Sequence, residues 1–145
     1  MEYTEITELT TMQHNCLAGI NKLIQQLSLT AEPMTSEQLE RLIASNASHL
    51  YIAIKGEEII GMCTLALYDA PTGRKAWIED VVVDAGARGT GLGRRLVAHA
   101  IEEAHRYAPT TLMLTSRSSR IAANRLYQTI GFERKETNVY RMNCK

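Results

Sequence analysis

The sequence predicts an α/β protein, a single domain over residues 1–145 whose mixed central sheet is flanked by helices. Three observations carry that expectation. Strand-like and helical stretches follow one another in the order β-α-α-β-β-β-α-β-α-β-β. A valine-rich strand ending at Asp84 runs through a glycine-rich turn straight into an amphipathic helix. The link from Asp84 through that helix to Thr110 is a crossover, so the two strands it joins should be parallel.

The elements follow in chain order. Residues 3–9 alternate weakly as a first strand. From Thr11 onward, Cys16, Leu17, Ile20, Leu23, Ile24 and Leu27 recur at threes and fours, the stripe of an amphipathic helix. After a polar loop at 28–34, Thr35-Ser-Glu-Gln38 reads as a capping box opening a second helix with Leu39, Leu42 and Ile43. Residues 49–55 and 58–68 are strand-like and joined at Lys55-Gly56-Glu57 as a hairpin. A turn cluster at 69–73 leads to the strand at 75–84. Leu92, Leu96, Val97, Ala100, Ile101 and Ala104 trace one face of a third helix, which stops before Pro109. A strand at 110–116, a helix at 119–130 stopped by Gly131, and closing strands at 133–136 and 138–142 complete the order.

Composition bounds the function. A chain of 145 residues, 45% hydrophobic and 22% charged, is ordinary for a globular domain with a buried core. Sixteen basic and sixteen acidic residues cancel, leaving no bulk field for nucleic acid or anionic membrane. The longest apolar run, 59–67, is too short to span a bilayer. The acidic start Met1-Glu-Tyr-Thr-Glu5 is unlike a secretory signal. Cys16, Cys63 and Cys144 are widely spaced, without a Cys-x-x-Cys pair. They argue against a disulfide framework or a zinc site and suit a reducing, cytoplasmic setting. His14, His49, His99 and His105 lack metal-ligand spacing, so no metal is expected.

The most specific segment is 76–96. Gly89, Gly91 and Gly93 alternate where a helix begins, removing side chains where unpaired N–H groups and a partial positive charge converge. A dinucleotide fingerprint is excluded because the third glycine comes one residue early. A nucleotide-triphosphate loop is excluded because no Lys follows. The segment fits Arg-x-x-Gly-x-Gly at Arg88, Gly91 and Gly93, after Ile78-Glu-Asp-Val-Val-Val83. A tight strand-to-helix connection without a ligand is the plainer alternative.

This pattern resembles the acyl-coenzyme A pyrophosphate loop of the GNAT N-acetyltransferase superfamily, and the element order resembles it over nearly the whole chain. The resemblance implies acetyl-CoA as co-substrate. The amides of Gly89, Thr90, Gly91, Leu92, Gly93 and Arg94 would then cradle the pyrophosphate, with charge from Arg88, Arg94 or Arg95. It also implies that Val81, Val82 and Val83 pair their backbone with the pantetheine arm, although three valines equally describe a strand buried on both faces.

Glu79 and Asp80 are adjacent carboxylates in an apolar strand and should point to opposite faces unless a bulge intervenes. A primary amine is about 0.1% or less deprotonated at neutral pH, so transfer to it needs a base. Superfamily members acting on polyamines and amino-sugar phosphates carry a similar pair, which implies Glu79 as base, directly or through water. A structural carboxylate is the plainer reading, favoured for Asp80. The run Asn124-Arg-Leu-Tyr127-Gln-Thr-Ile-Gly131-Phe132 resembles the family's late helix. It implies Tyr127 as proton donor to the leaving thiolate, against packing alone, and Asn124 as a contact to the cofactor.

The expected activity is therefore that of an acyltransferase, an acetyl-CoA-dependent N-acetyltransferase moving an acetyl group to a primary amine by direct attack in a ternary complex. No cysteine lies in the motif stretches to carry the group. A small-molecule amine is the favoured partner. A protein lysine or N-terminus, a non-catalytic acyl-CoA-binding regulatory module, and an adaptor remain as alternatives. The family's acceptor pocket falls here on 28–34 and 135–140, neither of which has a dominant charge. Arg117, Arg120 and Arg125 read as a solvated basic face or as contacts to an anion. The sequence fixes no oligomeric state and is compatible with a homodimer.

Overall fold

A computed structural model describes residues 3–145. They divide into two compact units, one ending at Thr115 and the other spanning Ser116–Lys145.

The first unit is built on a five-stranded sheet in the spatial order β1-β2-β3-β4-β5. Its strands are β1 (Thr4–Glu8), β2 (Ser48–Lys55), β3 (Glu58–Ala70), β4 (Gly73–Val83) and β5 (Thr111–Met113). Neighbours from β1 to β4 are antiparallel. β5 runs parallel to β4, as the crossover requires. The hairpin at Gly56 forms as read, with Lys55 opposite Glu58 and Gly56 at φ 64.

Three helices complete the unit: α1 (Cys16–Leu27), α2 (Ser36–Ala44) and α3 (Leu92–His105). α1 buries Cys16, Ile20 and Leu23, the stripe that its sequence spacing predicts. Thr35 caps α2 with both halves of the capping box: its hydroxyl accepts from the Gln38 N–H, and the Gln38 side chain accepts from the Thr35 N–H.

The sheet buries both faces. Ile20, Leu23, Leu39, Leu50, Ile52, Met62 and Val82 form one core with α1 and α2. On the other face, Leu96, Val97, Ala100 and Ala104 of α3 are buried. There the Tyr51 ring meets His99 edge-on at 4.7 Å, and the Cys63 thiol donates to the Leu96 carbonyl at 3.7 Å. α3 lies so close that a Cβ on Gly61 would sit 3.1 Å from Leu96 Cδ1 and 3.3 Å from the Val82 carbonyl oxygen.

The second unit holds α4 (Ile121–Ile130), ended by Gly131 at φ 126. The closing strands expected at 133–136 and 138–142 do not form, and nothing after α4 lies in a helix or strand. Residues 133–136 are all charged or polar, and Val139, Tyr140 and Met142 stay exposed. Neither stretch buries the face that would fix a strand's register. β5 is likewise only three residues long, shorter than the expected 110–116. Among the described residues no helix is long and apolar enough to cross a membrane.

The tight seam at Gly61 gives a stability test. Gly61→Ala overpacks α3 against β3 and should cost about 1–3 kcal/mol in urea unfolding. An unchanged midpoint would show that the seam yields freely.

Candidate functional site

β4 carries the site because it leaves its neighbour early. It pairs with β5 only at Lys75, Ala76 and Trp77, opposite Thr111, Leu112 and Met113. From Ile78 to Val83 its β5-side edge has no strand partner among the described residues. On its other edge the register with β3 slips. Met62 faces Val82 while Thr64 faces Glu79, so two β4 residues, Asp80 and Val81, share the space of Cys63. This is a β-bulge, and Asp80 sits in it at φ 52. The alternation that sends adjacent residues to opposite faces therefore does not hold across Glu79 and Asp80.

Both carboxylates are exposed. Partial desolvation, and then the charge of Asp80, raise the Glu79 carboxyl above the ordinary range. Partial desolvation raises Asp80 as well. Val82 packs in the α1–α2 core, while Val81 and Val83 are half-buried. The valines' side chains are thus packed while the strand edge beside them has no strand partner among the described residues.

Asp84 ends the strand and starts the turn. Its Oδ2 accepts from the Gly86 N–H at 3.0 Å, and its carbonyl accepts from the Ala87 N–H at 2.8 Å, forming a 3-10 turn at Ala85–Ala87. A hydrogen bond from Gln26, and then the one from Gly86, hold the Asp84 carboxyl below its ordinary range. Sequence reasoning passed over Asp84; the Asp-x-Gly spacing was the available signal. Thr90 then donates its hydroxyl to the Ala87 carbonyl at 2.6 Å.

Gly91 caps α3 at φ 83 with no side chain to accept hydrogen bonds. The first bond of the helix runs from the Arg95 N–H to the Gly91 carbonyl. The N–H groups of Gly91, Leu92, Gly93 and Arg94 consequently have no partner among the described residues, and no acidic side chain occupies the first turn. A Cβ on Gly93 would meet only Val83 Cγ2, at 3.8 Å. The protein's own packing leaves room for alanine there, yet the second residue of α3 is glycine.

The three arginines separate. Arg88 donates to the Val83 carbonyl at 3.3 Å. Arg95 donates to the Thr4 carbonyl at 2.9 Å and lies over the Tyr3 ring at 5.9 Å. Arg94 is exposed and has no partner among the described residues. Main-chain donors without a partner among the described residues, beside an uncommitted cation, are a combination suited to a pyrophosphate.

Residues 19–132 match the family model described as Acetyltransferase (GNAT) family. This chain belongs to that family. Over 104 residues it is 34% identical to glucosamine 6-phosphate N-acetyltransferase 1 of Oryza sativa subsp. japonica, covering 67% of this chain and 62% of the relative. Over 93 residues it is 31% identical to the [ribosomal protein bS18]-alanine N-acetyltransferase of Escherichia coli strain K12, covering 64% of this chain and 62% of the relative. The match thus spans 62% of the length of these curated relatives. In fold, the chain is similar to the aminoglycoside N-acetyltransferase AAC(6')-Iy, solved in complex with CoA. That likeness has a TM-score of 0.79 at 17% identity and covers 99% of this chain and 97% of the other.

The second unit of this GNAT chain holds the remaining candidates. Asn124 donates through Nδ2 to the carbonyls of Arg117 at 2.8 Å and Arg120 at 2.9 Å, tying the preceding loop to α4. Its amide protons are therefore committed locally. Tyr127, three residues on, is only 7% exposed and meets Phe132 edge-on at 6.2 Å. Its hydroxyl has no hydrogen-bond partner among the described residues. Ser116 Oγ, which the sequence reading did not single out, is buried without one.

The spare room at Gly93 separates packing from binding. Gly93→Ala should leave the melting temperature unchanged or raise it. Coenzyme A affinity, measured by calorimetry, should fall at least about tenfold, the scale of one lost charge-assisted hydrogen bond. Unchanged affinity would show that no ligand approaches this turn.

Proposed function

We propose that this chain is an acetyl-CoA-dependent N-acetyltransferase acting on a primary amine, with a small molecule as the favoured acceptor. The observation that carries the reading is the row of N–H groups from Gly91 to Arg94, without partners among the described residues, beside the stretch of β4 that β5 does not pair. Gly89, Thr90, Gly91, Leu92, Gly93 and Arg94 would hold the pyrophosphate, with Arg88 buttressing the turn through the Val83 carbonyl. The backbone of Val81, Val82 and Val83 would pair with the pantetheine amides, as an added strand does. When bound, acetyl-CoA supplies an activated thioester.

The chain's own groups supply the proton chemistry. Glu79 takes a proton from the incoming ammonium or from a water between them; its raised pKa brings it closer to matching that task. Tyr127 Oη holds a proton that a departing sulfur requires, and the lack of a partner for its hydroxyl among the described residues is consistent with that role. Asn124 orders the loop before α4 and offers Oδ1 to the cofactor. No cysteine lies in these stretches, which supports direct attack within a ternary complex.

The relatives' names support amines of two kinds, an amino-sugar phosphate and an alanine of a ribosomal protein. A thiol-release assay should therefore run a panel of amino-sugar phosphates, polyamines, aminoglycosides and an alanine-initiated peptide. Turnover is expected with at least one small amine and should be abolished in Tyr127→Phe. A peptide-only profile would reverse the acceptor assignment. Failure of every amine, with coenzyme A still bound, would indicate a regulatory module.

The pH profile tests the base. A base acts when deprotonated, so kcat/KM should be lost as pH falls through the Glu79 pKa. Because that pKa is raised, the acid limb should lie above the ordinary carboxylate range. Glu79→Gln should remove this limb and lower kcat/KM about 10²–10⁴-fold. An intact limb in the variant would exclude Glu79.

A further inference from the structure

α1 reaches the proposed phosphate loop through the side chain of its penultimate residue, across 58 positions of sequence. Gln26 Nε2 donates to Asp84 Oδ1 at 2.8 Å, and Gln26 Oε1 accepts from the Ala85 N–H at 2.8 Å. One planar amide thus joins the end of β4 to the first residue of the 3-10 turn. Asp84 receives the Gly86 N–H on its other oxygen, and Lys22 Nζ lies 3.8 Å from Oδ1. Lys22 and Gln26 are four apart and share one flank of α1. α1 comes this close to the sheet at Gly19, where a Cβ would lie 3.2 Å from Ile59 Cδ1 and 3.3 Å from Ile59 Cβ.

We propose that Gln26 is a positioning residue for the coenzyme loop, its amide bracket fixing the turn at Ala85–Ala87 and so where Gly89 to Arg94 present their main-chain N–H groups. The proposal rests on the loop being the phosphate site.

The bracket has a defined polarity. Asp84 can only accept, and the Ala85 N–H can only donate, so residue 26 must donate on one side and accept on the other. Gln26→Glu sets two carboxylates against each other. In Asp84→Asn, Oδ1 is still needed for Gly86, so Nδ2 faces Gln26 Nε2 as the amide stands, and if the amide flips Nε2 faces the Ala85 N–H instead; one pair of donors is opposed either way. The double swap Gln26→Glu/Asp84→Asn restores every pairing: residue 84 donates through Nδ2, residue 26 accepts from it and from Ala85, and Gly86 keeps its acceptor. The negative charge moves to residue 26, still one helical turn from Lys22. All three variants keep the wild-type shapes.

Each single swap should weaken coenzyme A binding about 10- to 100-fold by calorimetry, the scale of one lost hydrogen bond to a charged group. The KM for acetyl-CoA should rise in step, while kcat at saturation stays within about twofold, because binding re-forms the loop. Amide exchange at Ala85 and Gly86, read by NMR without ligand, should accelerate in both single variants. The double swap should return affinity and exchange to within about threefold of wild type, since coupled residues do not act additively. Wild-type affinity in the single variants, or additive losses in the double, would overturn the proposal. If exchange follows the predicted pattern while no protein, wild type included, takes up coenzyme A, the bracket exists but the phosphate-loop reading falls, and the positioning role with it.

Discussion

β4 cannot serve both neighbours along its whole length, and the rest of the site depends on that constraint. Near Trp77 it is an interior strand, paired on both edges. Beyond it, the parallel partner has ended, and the bulge at Asp80 changes its register with β3. A parallel strand is ordinarily buried on both faces and paired on both edges. An edge left open next to a glycine cap costs pairing energy, and Asp80 at positive φ adds about 1–3 kcal/mol of strain. The two-sided core against α1, α2 and α3 offsets these costs and holds the open edge in place.

Much of this architecture was legible because it is local. The capping box needs only Thr35 and Gln38, the hairpin only Gly56 and its flanks, and the parallel pair follows from one crossover helix. The glycine cap could be located because no other residue type offers so little at a helix start. The bulge could not be. Ile78-Glu-Asp-Val reads as regular alternation, and aspartate in the left-handed region carries no mark in the sequence. Gln26 was invisible for a different reason: nothing near it indicates a partner 58 residues away.

The end of the chain shows the opposite failure. Val139, Tyr140 and Met142 are apolar enough to suggest a strand, but a strand is a relation between segments, and composition cannot supply the partner. Helix α4 was read correctly because its hydrogen bonds close within itself and Gly131 ends it.

Three local rules are broken within four residues of the α3 start. A helix N-terminus favours an oxygen-bearing cap, and Gly91 has none. It disfavours cations, yet Arg94 and Arg95 stand in the first turn with no acid beside them, at a cost of roughly 0.3–1 kcal/mol each when exposed. Glycine is a poor helix former, yet Gly93 is the second residue of α3, where a methyl group would fit. Arg95 is reconciled by the Thr4 carbonyl; Arg94 is not. Conflicts of this kind concentrate where a sequence serves something other than its own stability. An anion seated on the unpaired N–H groups would reverse the sign of the dipole penalty, complement Arg94 and occupy the space that Gly93 leaves. One ligand chemistry thus removes three separate anomalies, whereas a bare strand-to-helix connection explains none of them.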